Sequence, residues 1–140
     1  MRERGANYCD YLYNISRYNL DHEGEVRLFI NYDFPGWNEY INTERANRYA
    51  AAKIKADEKE YIGWTVKEKY TGEYPITLTI RPHYQNKRRD LDNFRLKGLI
   101  DGLVAAGVIK NDNLTCINRI LIEAVFSDTP GVEVEIRETR

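Results

Sequence analysis

The hydrophobic period of this chain switches between strand-like and helix-like, and the order of the switches limits the fold more than any other feature. EVRLFINY (25–32) is rich in β-branched and aromatic residues and reads as a first strand. FPGWNEYI follows, with Pro35-Gly36 as turn punctuation, and Asn42 or Thr43 stands where a cap would open a long helix over about 43–69. Ala46, Ala50, Ile54, Tyr61 and Thr65 recur on one face of that helix, with Arg45, Arg48, Lys55 and Lys59 opposite. Gly63 is poorer than Ala in a helix interior by about 1 kcal/mol and marks a place for a break or kink. YPITLTIRPHY (74–84) alternates as a second strand. A second helix is predicted over about 93–106, with Leu96, Leu99, Ile100 and Leu103 on one face, Asp92 as its N-cap, and Gly107-Val108 as a Schellman stop. A strand over about 115–126, a TPG turn and a last strand, VEVEIRE (132–138), complete the chain. Val alternating with Glu in that last strand predicts one wet face. The order β-α-β-α-β-β, with two main helices, implies a small α+β domain built on a mixed sheet.

At 140 residues with 42% hydrophobic content, the chain can bury one core. Residues 1–24, rich in Tyr, Asn and Asp, read as an N-terminal extension of no assignable role, and 25–140 as the folded domain. No run approaches the roughly 18 apolar residues of a membrane span. MRERGANYCDYLYNIS is basic but lacks the apolar centre of a signal peptide, which points to a cytoplasmic protein. Cys9 and Cys116 have neither metal-ligand spacing nor a disulfide framework and are expected as free thiols. The net charge of −1 argues against a protein that coats nucleic acid non-specifically. Charge is nevertheless uneven. Between Arg81 and Lys97 stand six cations (Arg81, Lys87, Arg88, Arg89, Arg95, Lys97) against only Asp90 and Asp92, a pattern that fits aimed contact with an anion.

The centre of that segment is RRDLDN (88–93). Asp90 and Asp92 are spaced i, i+2, which in an extended stretch puts both carboxylates on one side. Two such groups repel unless a cation lies between them, and all-oxygen ligation is what Mg2+ or Mn2+ prefers. A hydrolytic metal site usually recruits a further acid, and Asp112 in NDN supplies one. Each piece also has a plainer reading: Asp92 as a helix cap, Asp90 salt-bridged to Arg88 or Arg89, Asp112 as a turn residue, and the helical basic stripe as a solvent face. An EF-hand loop is excluded, since its third ligand, its glycine and its closing Glu are missing. His22 and His83 form no nucleophile–base arrangement, and no phosphate-binding glycine loop is present.

RRDLDN, the helix that carries Lys97 and ends in LVAAGV, and Asp112 a few residues on together resemble the RusA family of Holliday-junction resolvases. FPGWNEYI resembles that family's Pro/Asn/Tyr-containing loop after the first strand. The resemblance covers roughly residues 25–138 and is most specific over 87–112. It implies a small homodimeric, Mg2+-dependent endonuclease of bacteria and their phages that resolves four-way DNA junctions by paired nicks, with Mn2+ as a substitute. Asp90, Asp92 and Asp112 match the family's metal-binding aspartates, and Lys97 its functional lysine; where the family often carries two adjacent acids, this chain has Asn111-Asp112. Lys87, Arg88 and Arg89 would then position the DNA backbone, with Arg48, Lys55 and Asn38 as further DNA contacts and His83 at the periphery. A related nuclease acting on other branched DNA or RNA, a non-catalytic junction binder, and a protein-interaction module with RRDLDN as a capped helix start remain the competing readings. A helix of about 14 residues spans about 21 Å. Either the Asp112 loop therefore folds back along it, or a second subunit supplies the missing ligand. Gly98 and Gly102, i and i+4 on this helix, allow close approach of another backbone, expected within the same chain.

Overall fold

The computed structural model describes residues 24–140. The expectations for the extension, including Cys9 and His22, therefore lie outside the described residues. In chain order the elements are β1 (Val26–Ile30), α1 (Trp37–Ala46), α2 (Arg48–Thr65), β2 (Ile76–Tyr84), a 3-10 turn (Leu91–Asn93), α3 (Leu96–Ala105), β3 (Ile117–Ile122), β4 (Val125–Phe126) and β5 (Gly131–Glu138). They form one α+β domain on a mixed sheet of order β1-β5-β2-β3, with β4 continuing β3 along the same side of β2. β5 runs antiparallel to both β1 and β2, whereas β3 and β4 run parallel to β2.

Register places the apolar rows together. Leu28 faces Val134, and Val134 faces Ile80; Val26 faces Ile136, and Ile136 faces Leu78. This sheet face packs with Ile62 and Val66 of the α2 end and with Leu99, Ile100 and Leu103 of α3 in a single buried cluster. The stop of α3 is the Schellman motif its sequence predicts. Gly107 has φ +77°, its N–H donates to Val104 O at 3.0 Å, and the Val108 N–H reaches Leu103 O at 2.9 Å.

Three expectations are corrected. The long helix over 43–69 is two helices, and helix starts already at Trp37 within FPGWNEYI. Asn47 divides them: it is extended, and its side chain accepts from the N–H groups of Tyr49 and Ala50 at 2.9 and 3.3 Å, while its own N–H donates to Thr43 O at 2.8 Å. One residue thus ends α1 and caps α2. Gly63 stays within α2, and a side chain there would meet open space. The inner face of α2 also differs, being formed by Ala51, Glu58 and Ile62.

The second correction concerns α3. It starts at Leu96 after Arg95, so Asp92 is not its N-cap. The third concerns β5, whose Glu133 and Glu135 are only 3% and 5% exposed. Arg81 bridges both carboxylates at 3.0 Å, Arg27 reaches them at 3.2 and 3.8 Å, and Glu123 closes on Arg81 at 3.2 Å. The guanidinium groups lie across the sheet and neutralise the acids there, so the alternation reads as one apolar face and one ion-paired face.

Candidate active site

The site is built where β2 ends and the chain turns into α3. Asp90 precedes the 3-10 turn in an extended conformation (φ −100°, ψ 127°) and makes no side-chain cap, and Asp92 sits within the turn. Both are exposed. Among the described residues neither carboxylate enters a hydrogen bond or an ion pair, so the helix-cap and salt-bridge readings of these two acids do not hold.

The neighbouring cations point elsewhere. Arg89 lies 5.2 Å from the centroid of the Tyr84 ring and Lys87 5.6 Å from that of Phe126. Arg88 is exposed, its backbone N–H fixed by Asn86 Oδ1 at 2.8 Å. Cations parked on ring faces keep their hydrogen-bond donors free for another anion.

A cleft beside the loop is bordered by Asp33, His83, Tyr84, Arg89, Asp90 and Asn93. Burial lowers the His83 imidazole to a pKa of about 4, so it is a neutral wall at ordinary pH. Burial raises the Tyr84 phenol, an effect Arg89 opposes and Asp33 reinforces. Asp33 has no signal in the sequence analysis; it follows the first strand in no recognisable motif.

Asp112 lies in a second groove, with Trp37, Leu96, Lys97, Ile100 and Asp101. The loop after α3 therefore folds back along the helix, and Asp112 comes to the same groove as Lys97. Lys97 is exposed and pairs with Asp101 one turn on at 3.4 Å. Among the described residues no three His, Cys, Asp or Glu side chains gather closely enough to hold a metal ion. The chain thus brings Asp90 and Asp92 into one loop and Asp112 and Lys97 into one groove. Of the other candidate contacts, Arg48 and Lys55 are exposed on α2, turned over the rings of Tyr49 and Tyr40, and Asn38 is exposed at the start of α1.

The least expected feature is a buried ion pair next to the site. Arg95 and Glu58, 2% and 1% exposed, join through two bonds of 2.7 Å. The guanidinium also lies 4.4 Å from the Tyr40 ring centroid and 5.8 Å from that of Trp37. Gly98 is where it is because of this pair: a Cβ there would come 2.6 Å from Glu58 Oε1 and 2.7 Å from Arg95 Nη2. A Cβ on Gly102 would run into Ile62 Cδ1, so both glycines serve close packing of α3 on α2 within the chain. The sequence signal for Glu58 was its position seven residues after Ala51 and four before Ile62, a charge at an apolar spacing.

An exposed acidic loop, flanked by cations with no carboxylate partner among the described residues, thus stands where β2 ends in a mixed α+β sheet. Residues 21–137 match the family model of endodeoxyribonuclease RusA. A crossover junction endodeoxyribonuclease RusA of Aquifex aeolicus (strain VF5) is 35% identical over 118 residues, 81% of this chain and 91% of the relative. The chain belongs to the RusA endodeoxyribonuclease family. Among the described residues, no helix is long and apolar enough to cross a membrane.

Proposed function

We propose that this protein is a Mg2+-dependent structure-specific endonuclease that resolves four-way DNA junctions by paired nicks, acting as a cytoplasmic homodimer of bacterial or phage origin. The observation that carries the reading is that Asp90 and Asp92 are exposed and uncommitted while Lys87 and Arg89 beside them rest on aromatic rings. The donor set suits the ion: Mg2+ is usually held by one or two carboxylates, with waters and substrate phosphate filling its shell.

Asp90 and Asp92 would hold the ion; Asp112, set apart in the second groove beside Lys97, would join them only through a shift of its loop or from a second subunit. When bound, the ion supplies an activated water and charge stabilisation at the scissile phosphate; Mn2+ would serve the same purpose. Lys87, Arg88 and Arg89 position the DNA backbone through their free donors, with Arg48, Lys55 and Asn38 as outlying contacts. Lys97 neutralises charge that develops on the phosphate or on the leaving oxygen. His83, neutral and buried, forms part of the cleft wall at the periphery of the site.

Cleavage of a labelled four-way junction and a matched linear duplex, in Mg2+ or in EDTA, tests the reading. Wild type is expected to place symmetric nicks on the junction alone. Asp90→Asn should cut roughly 100-fold more slowly or worse, since a lost ligand removes several kcal/mol of transition-state stabilisation. Tight junction binding without cleavage under Mg2+ and Mn2+ would instead identify a non-catalytic binder.

A further inference from the structure

α1 begins on a glycine. Gly36 stands at its N-cap position and has no side chain to accept a hydrogen bond from the first turn. The acceptor comes from far along the chain: the Asn38 N–H donates to Asn93 Oδ1 at 2.9 Å. Asn93 is the last residue of the 3-10 turn that carries Asp92 and follows Asp90. The fit is close from the other side too, because a Cβ on Gly36 would collide with Asn93 Nδ2 and stand 2.9 Å from Asn93 O.

The turn needs such an attachment. None of its three residues is buried, so no core contact of its own holds its shape. Its internal bonds are two, Asn93 N–H to Asp90 O at 3.0 Å and Phe94 N–H to Leu91 O at 3.1 Å. Two residues beyond Asn93, Arg95 makes a second attachment to the same helix through the rings of Trp37 and Tyr40. The beginning of α1 borders both clefts, since Gly36 lines the one with Asp90 and Trp37 the one with Lys97 and Asp112.

We infer that Asn93 is a positioning residue: by capping α1 from across the cleft it holds Asp90 and Asp92 in register with the start of that helix, and Gly36 is the other half of the clasp. The inference rests on the nuclease reading of the two aspartates. A ligand pair displaced by about an ångström costs on the order of 100-fold in rate even when the fold survives. Arg95 and Glu58 remain in place when Asn93 is changed, so the domain keeps its packing while the loop loosens.

Three variants test this: Asn93→Ala removes the acceptor, Gly36→Ala pushes on the turn with Asn93 intact, and Asn93→Asp keeps an acceptor for the Asn38 N–H. Hydrogen exchange at the Asn38 amide reports the clasp directly and should quicken in Asn93→Ala. Single-turnover cleavage at saturating junction should fall about 10- to 100-fold in Asn93→Ala and Gly36→Ala, with junction affinity nearly unchanged and a higher Mg2+ requirement. Asn93→Asp should recover much of the rate. Wild-type single-turnover rates and Mg2+ dependence in the first two variants would overturn the inference, as would rate losses that merely follow a lowered melting temperature and vanish on cooling. If the wild type cuts no junction, that failure belongs to the resolvase reading. Broadening of the Asp90–Asn93 amide resonances by Mn2+ then decides, and identical broadening in wild type and Asn93→Ala would overturn the clasp.

Discussion

His83 is buried against the Phe29 ring, with centroids 5.0 Å apart, and its pKa is lowered to about 4. The unfolded chain protonates this imidazole near its ordinary value of about 6.5, while the native state resists. Stability from this residue is therefore constant above that value, falls as pH drops towards 4, and levels off below. The full loss is roughly 3 kcal/mol. Urea titrations at pH 7 and pH 5 check this, and His83→Asn should flatten the difference. Arg95 makes the opposite kind of demand. Arg95→Met leaves the Glu58 carboxylate buried without its partner and should cost about 3–5 kcal/mol, most of it recovered by adding Glu58→Leu. Thermal or urea unfolding of the single and double variants measures the difference. This pair was only half legible. RRDLDN announces itself because two acids and two arginines adjoin in sequence, whereas Arg95 and Glu58 are 37 residues apart and meet only once the helices pack. Arg88 and Arg89 belong to exposed electrostatics. Replacing either by Ala should lower the salt dependence of junction binding by about one unit of slope in log K against log salt, read by titrations at several ionic strengths.

Elements were legible where their period was undisturbed. β2, β5 and α3 lie close to where their patterns put them, and the glycine stop of α3 follows from Gly107-Val108 alone. The division at Asn47 was not, because the residues around it are all compatible with helix and only its side-chain capping bonds reveal the break. The buried face of β5 was missed for a related reason: Glu133 and Glu135 look wet until Arg27 and Arg81 arrive from other strands. Helix contact makes its own prediction. Gly102→Ala forces Ile62 to move within a core where it is 0% exposed, and should cost about 1–3 kcal/mol. On an Ile62→Val background, which lacks the colliding methyl, the same change should cost distinctly less. Equal costs in the two backgrounds, measured by urea unfolding, would place the strain elsewhere.

At the scale of the molecule, the sheet ends on one side in β3, where Ile120 and Leu121 are 40% and 45% exposed, with Phe126 of β4 at 53%. Among the described residues no strand pairs with the outer side of β3; such an apolar edge invites a further strand, and a second copy of this chain there suits the homodimer proposed for two symmetric nicks. Sedimentation is expected to give twice the 16.5 kDa chain mass, and Leu121→Lys to return the monomer. A dimer indifferent to Leu121→Lys would place the contact on another surface. Assembly was the scale least legible in sequence, since the exposure of β3 depends on which strand ends the sheet.

The chain contains two tryptophans. Trp64 is 73% exposed on α2, whereas Trp37 stands between the Arg95 guanidinium and the groove of Lys97 and Asp112. Replacing Trp64 by Phe would leave a single tryptophan, excitable apart from the tyrosines, at the place where α1 meets the acidic loop. Its emission colour and quenching would then follow the arrival of metal and DNA in real time, with no dye attached.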